Sequence, residues 1–242
     1  MQTDQQPLPV IRGAGLDSAA WAAVGRDAAG LGLTTAGSGA EPLDTPMAAL
    51  SLLVLPGVAD DAVPKALAQG YRFGQVAGLD RQWMERVAGQ AASGAHIGWC
   101  LSTSDMVRER VTPWLLDHLV ASEVLSEQMR GDCDLLLTEA IANASLHGNL
   151  RIAAPTDPFE PELAKRGVGV FATIDGNSLW WRVWQEGEGS PDAEAKLQAL
   201  LGGAMPDLEN PGGRGLFIVS RMAQAVRFED AGRCLAMRVS RV

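Results

Sequence analysis

The chain has only three cysteines in 242 residues, Cys100, Cys133 and Cys234. They are scattered, odd in number and in no metal-ligating spacing, which argues against a zinc site or a disulfide framework. Positive charge is scarce as well. Twenty Lys and Arg face 29 Asp and Glu, for a net charge of −9. Such a balance does not bind nucleic acid or an anionic membrane through bulk electrostatics. Long apolar runs are missing too. The longest, around residues 47–59, is interrupted by Pro56 and Gly57 and is too short to span a bilayer. The opening residues, Met1-Gln2-Thr3-Asp4, carry neither the basic start nor the apolar stretch of a signal peptide. The expectation is a soluble, cytoplasmic protein. What the chain does have is apolar material, 47% of its residues, enough for one large domain or two ordinary ones.

The first half alternates strand and helix patterns. Residues 8–11 form a short apolar strand candidate. Asp17 can cap a helix over 18–30, and 34–46 reads as a loop rich in Gly, Ser and Pro. Residues 50–55 are continuously apolar, the pattern of a strand buried on both faces. Asp60 and Asp61 open a helix to about residue 69, and 76–79 is a further short strand. Asp80 caps a helix over 81–92, and 96–101 is another strand. Alternation of this kind predicts a small parallel α/β layer over residues 1–106. In outline it resembles a response-regulator receiver. The acidic residues and lysine of a receiver are replaced, because Arg12-Gly13-Ala14-Gly15, Pro56-Gly57 and Ser102-Thr103 stand at the strand ends. The expectation is a pseudo-receiver, a docking surface without phosphoacceptor chemistry. Gly13-Ala14-Gly15 hints at a dinucleotide fingerprint but lacks its third glycine.

The second half changes character. Helices are expected over 112–128 and 133–147, followed by a polar Pro-rich loop over 153–165. Strands over 167–174 and 179–185 are joined at Asp175-Gly176-Asn177-Ser178, which has good hairpin chemistry. A helix over 192–201, a loop over 206–213 and a helix over 216–225 follow. A closing hairpin, 225–230 and 233–240, turns at Ala231-Gly232. This is α+β, with antiparallel strands on one side and helices on the other. Within it Glu139, Asn143 and His147 recur every four residues. One helix face thus carries a carboxylate, a carboxamide and an imidazole in a row. Gly148 and Asn149, good helix terminators, come next. The stripe suits a hydrated Mg²⁺ and a phosphate chain, because Mg²⁺ takes oxygen ligands and keeps several waters. Taken alone, it is also what a solvated helix face looks like.

Two glycine-rich segments follow the stripe, Val183-Trp184-Gln185-Glu186-Gly187-Glu188-Gly189 and Gly212-Gly213-Arg214-Gly215-Leu216-Phe217-Ile218-Val219. In this order and spacing the three motifs resemble the N, G1 and G2 boxes of the GHKL (Bergerat-fold) ATP-binding superfamily. The likeness is greatest to the anti-sigma-factor serine kinases of bacterial partner switching. It covers residues 112–242 and points to a histidine kinase-like ATPase domain over 107–242. The resemblance implies ATP and Mg²⁺ as cofactors, Asn143 as metal ligand and Glu139 as general base. It implies nucleotide contacts from Asn143, His147, Gln185, Gly187, Gly189, Gly213, Arg214, Gly215 and Leu216. Gly213 and Gly215 let backbone N–H groups approach phosphate oxygens without a Cβ, at a helix start that favours an anion. Arg214 either contacts phosphate or faces solvent. His147 is better suited to local hydrogen bonding or capping than to catalysis, and Gly187 and Gly189 also fit a plain turn.

Two departures stand out. Gln185 occupies the place of an Asp that accepts a hydrogen bond from the adenine amino group, and Ser190 replaces an aromatic residue. A neutral carboxamide is the weaker acceptor by ~1 kcal/mol. The function expected is Mg²⁺-dependent phosphoryl transfer from ATP to Ser or Thr of a protein partner, a sigma factor or an anti-sigma antagonist, in a bacterial signalling regulator. The alternative is a protein-binding module that keeps the fold, has lost the chemistry and sequesters such a partner. Neither involves nucleic acid or membrane, and a homodimer is compatible with both. His118, followed by Leu119, lacks the setting of an autophosphorylated histidine, which disfavours a histidine kinase.

Overall fold

The structure is a computed structural model that describes residues 10–36, 51–56, 62–76, 78–109, 111–152, 160–189, 192–206 and 213–242. The chain divides into two compact units, Met1–Leu101 and Ser102–Val242.

The first unit runs β1 (Val10–Gly13), α1 (Ser18–Gly30), β2 (Thr34–Ala36), β3 (Ser51–Leu55), α2 (Ala62–Ala68), β4 (Phe73–Val76), α3 (Arg81–Ala92) and β5 (Ile97–Ser102). Its strands lie in the order β2-β1-β3-β4-β5 and every pair is parallel, a doubly wound order. β3 is buried along its whole length, as its apolar run requires. Both expected caps form: Asp17 Oδ1 accepts from the Ala20 N–H at 2.8 Å and Asp80 Oδ1 from the Trp83 N–H at 3.3 Å. Two expectations are corrected. Thr34–Ala36 is strand rather than loop, because it pairs with Val10–Arg12; the remainder of that segment, 37–46, lies outside the described residues. The fourth strand is Phe73–Val76 rather than 76–79. Gly74 disguises it, since the space its side chain would fill is taken by the Trp99 ring. Gly13 is likewise packed under Trp21 and Leu16, so its glycine is explained by packing.

The second unit runs α4 (Thr103–Arg108), α5 (Val111–Ala121), α6 (Glu127–Ala142), a π-helical segment (Asn143–Asn149), a short 3₁₀ turn (Leu163–Lys165), β6 (Gly167–Asp175), β7 (Ser178–Gln185), α7 (Ala193–Leu201), α8 (Arg214–Met222), β8 (Ala225–Glu229) and β9 (Cys234–Ser240). The strands form an antiparallel layer in the order β6-β7-β9-β8, as expected for α+β. β6 and β7 turn at Gly176, whose φ of 55° is what the first central position of a type II′ hairpin needs. Leu179, Trp181 and Val183 are buried on one face of β7 and alternate with the half-buried Trp180 and Arg182.

Several helix boundaries differ from expectation; α4 is an added helix, and α8 ends at Met222 rather than 225. α5 stops at Ala121, because the chain turns at Glu123 with φ 58°. The Ser126 N–H then donates to Arg241 O at 2.8 Å, anchoring the start of α6 to the end of β9. α6 therefore begins at Glu127, six residues before the expected start at Cys133. α8 starts at Arg214, two residues early. All three cysteines are buried, and burial pushes the Cys133 thiol up to about 11. Among the described residues no helix is long and apolar enough to cross a membrane.

Candidate functional site

Three pieces of backbone meet at one cleft of the second unit. The first is the end of α6. Glu139 lies in its last turn, and Asn143 opens the π-helical segment. There the Leu150 N–H donates to Ser145 O at 2.9 Å, an i→i−5 bond. The helical run ends at Asn149, as the chemistry of Gly148 and Asn149 suggested, but it widens through them before it stops. In a turn this wide the position above Asn143 falls between His147 and Gly148, and both line the cleft. The exposed His147 has its Nδ1 2.7 Å from Ile152 O, so it also secures the chain leaving the helix.

The second piece is the turn after β7. Asn149, fully buried, holds it. Asn149 Oδ1 accepts from the Gly187 N–H at 2.7 Å, and its Nδ2 donates to Thr103 Oγ1 at 2.7 Å and to Gly167 O at 2.9 Å. The Gly167 N–H in turn donates to Glu186 Oε2 at 2.6 Å. Gln185 turns its side chain toward the helix and packs on Gly148, where a Cβ would overlap the carboxamide. Gln185 Nε2 donates to Glu188 O at 3.4 Å. Gly187 and Gly189 are glycines for reasons of close backbone packing: a Cβ on one would overlap Gly148 O, and on the other Ala231 O.

The third piece is the start of α8. Gly213 has φ 120° and nothing within 4 Å of where a Cβ would be, a conformation that favours glycine. The Phe217 N–H bonds Gly213 O at 3.1 Å. The N–H groups of Gly215 and Leu216 precede it at the helix start, where no acceptor for them is found among the described residues of α8. Gly215 has a different role from Gly213. A Cβ there would sit 2.5 Å from Glu139 Oε2 and 3.2 Å from Asn143 Nδ2. The glycine lets α8 close directly onto the carboxylate and carboxamide. Arg214 is exposed.

The cleft between these pieces has a volume of ≈ 490 Å³, within the range of small-molecule sites. Asn143, His147, Gly148, Gln185, Gly213 and Leu216 line it, together with apolar Ala140, Ala144, Val183, Phe228 and Leu235. Glu139 and Gly215 are not among the lining residues; they meet each other beside Asn143, which is. Two cations on the rim carry no sequence signal. Lys196 is one basic residue on an ordinary amphipathic helix, and among the described residues no carboxylate ion-pairs with it. Arg233 is held by Asp230 at 2.7 Å. Asn149 and Gly148, which read in the sequence as a helix stop, turn out to fix the Gly187 turn and to seat Gln185. Of the sequence-derived site residues, Glu139, Gly187, Gly189, Arg214 and Gly215 do not line the cleft: Gly187 and Gly189 pack against backbone, Arg214 is exposed, and Glu139 and Gly215 meet each other beside Asn143. Ser190 lies outside the described residues.

The Gly148–Gln185 contact has a direct consequence. In Gly148→Ala the added Cβ collides with a side-chain tip that can swing away, while Ala is the better helix former. The variant is expected to keep its thermal unfolding midpoint within a few degrees and to move Gln185 out of position. Any ligand contacting Gln185 should bind about tenfold more weakly in a calorimetric titration, the loss of one hydrogen bond. Unchanged affinity would remove Gln185 from the ligand's contacts.

None of the curated proteins compared with this chain matches it. A family model, that of the histidine kinase-like ATPase domain, matches residues 102–239. The match begins one residue after the first unit ends and takes in the end of α6, the turn after β7 and the start of α8. With more than half of its length so matched, the chain belongs to the histidine kinase-like ATPase domain family.

Proposed function

We propose that the cleft binds ATP with Mg²⁺ and transfers the γ-phosphoryl group to a Ser or Thr hydroxyl of a protein partner, in the manner of anti-sigma partner switching. The observation that carries this reading is the meeting of Glu139 and Asn143 with Gly215 at the first turn of α8. The oxygen donor Asn143 and the helix start at Gly213 and Leu216 line a cleft of ATP-compatible size, with the base candidate Glu139 next to Asn143 against Gly215. The donor set fits Mg²⁺ carried in with a nucleotide. Asn143 offers one carboxamide oxygen, and Mg²⁺ at phosphate sites needs only one or two protein ligands. Once bound, Mg²⁺ would neutralise charge on the phosphate oxygens.

The protein's own groups then have distinct tasks. Gly213, the N–H groups that open α8, and Lys196 hold the phosphates. Glu139 accepts the proton of the attacking hydroxyl as its oxygen bonds to the γ-phosphorus, and the bridging bond to the β-phosphate breaks to release ADP. The partner would be a sigma factor or an anti-sigma antagonist, in the cytoplasm. The first unit fits a pseudo-receiver: its strand order is doubly wound, and no acidic residue stands at 12–15. Gln185 favours a second reading, a module that keeps the cleft and uses its surface to sequester such a partner without turnover.

A titration with ATP, with and without Mg²⁺, tests the first reading. Mg²⁺ is expected to tighten ATP binding to the wild type by about tenfold or more, and Asn143→Ala should lose that increment while retaining the metal-free affinity. An equal Mg²⁺ effect in both proteins would contradict Asn143 as the ligand. ATP binding without turnover, even with the partner present, would leave the sequestering module.

A further inference from the structure

The base end of the cleft has a feature that goes beyond ATP, and the inference rests on the nucleotide reading above. Asn143, the α8 N-terminus and Lys196 supply the polar groups suited to phosphate. The apolar stretch between Val183, Ala144 and Leu235 is suited to a planar ring. Gln185, half-buried and uncharged, lines the same cleft two residues along β7 from Val183. Its carboxamide carries an acceptor on one side and two donors on the other. Among the described residues, one long hydrogen bond, Nε2 to Glu188 O at 3.4 Å, is what orients it by polar contact. Its other neighbour, Gly148, constrains it by shape. Turning the amide over gives up that one long bond and brings Oε1 toward Glu188 O.

We propose that this cleft accepts both 6-amino and 6-oxo purine nucleoside triphosphates, with Gln185 presenting its oxygen to the first and its NH₂ to the second. Adenine offers an N6–H donor at that edge and guanine an O6 acceptor. A carboxylate could satisfy only the donor and would face O6 with unpaired negative charge. An amide serves either base and loses only the charge assistance. Where a site is built for a single hydrogen-bonding partner, discrimination reaches orders of magnitude; a reversible amide removes that basis.

The test is calorimetric titration of the full chain with Mg·ATP, Mg·GTP and Mg·ITP, on wild type, Gln185→Asp and Gln185→Leu. Wild-type affinities for the three are expected to agree within about tenfold. Gln185→Asp should widen the ATP-over-GTP ratio by about 100-fold, mainly through lost GTP and ITP binding. Gln185→Leu should weaken all three alike, and it keeps the test decisive should the Asp variant fold poorly. A wild type that prefers ATP by more than about 100-fold, or an Asp variant with an unmoved ratio, overturns the proposal and leaves the ATP reading standing. Binding of none of the three at millimolar concentration overturns both.

Discussion

Asn149→Ala is expected to destabilise the second unit by about 3–5 kcal/mol. The side chain makes three hydrogen bonds in a fully buried setting, to the Gly187 N–H, Thr103 Oγ1 and Gly167 O. Thr103 Oγ1 still donates to Arg166 O at 2.8 Å, and Gly167 O still accepts from the Glu186 N–H at 3.2 Å. Those two partners lose about 1 kcal/mol each. The Gly187 N–H has no such substitute. It is left buried without an acceptor, at about 1–3 kcal/mol. Asn149→Asp is expected to do no better: it keeps an acceptor for Gly187 but turns a carboxylate oxygen toward Gly167 O. Denaturant unfolding of the full chain, followed through the transition reported by Trp181 and Trp184, gives the value. A loss below about 1 kcal/mol would mean that Asn149 does not hold the turn.

Glu139→Gln is expected to cut ATP turnover by about 10²–10⁴-fold while leaving ATP affinity within a few fold. The substitution preserves shape, so the contact with Gly215 and the approach of α8 to α6 survive. What disappears is the group able to take a proton. The split between turnover and affinity separates a base from a packing residue, because a packing defect would move both. Turnover within about threefold of wild type would remove Glu139 from the chemistry. Gly215→Ala should produce a related phenotype by another route. Its Cβ presses on Glu139 Oε2, the tip of a flexible side chain, so the carboxylate is displaced in a protein that still folds.

Features decided by residues close together along the chain are legible in the sequence itself. Asp17 caps α1 and Asp80 caps α3 from three residues away, and the Asp175–Ser178 hairpin turns on its own Gly176. The clustering of Glu139 and Asn143 is legible for the same reason, being one turn of one helix. What the sequence hides is nonlocal. β4 contains a glycine that looks disruptive until Trp99 fills the space above it. The π-helical segment carries no propensity signal. Asn149 reads as a C-terminal stop, yet its amide is committed to Thr103, Gly167 and Gly187, residues 46, 18 and 38 positions away. Gly215 is recognisable as a loop glycine, but its nearest obstacle is Glu139, far back along the chain. Lys196 carries no signal at all, because only the folding of α7 against β8, fastened where the Phe228 N–H meets Glu194 Oε2 at 3.2 Å, brings it to the cleft.

Amide hydrogen exchange of the full chain with and without Mg·ATP tests the nucleotide assignment most directly. The amides of Gly215 and Leu216 precede the first bond of α8 among the described residues, from the Phe217 N–H to Gly213 O, and phosphate oxygens bound at that helix start should protect them. Exchange at residues 215–216 is expected to slow by about tenfold or more on adding Mg·ATP, with further slowing at residues 185–188 where the base would lie. ATP bound without protection at either segment, or no binding at millimolar ATP, would contradict the assignment of this cleft as the nucleotide site.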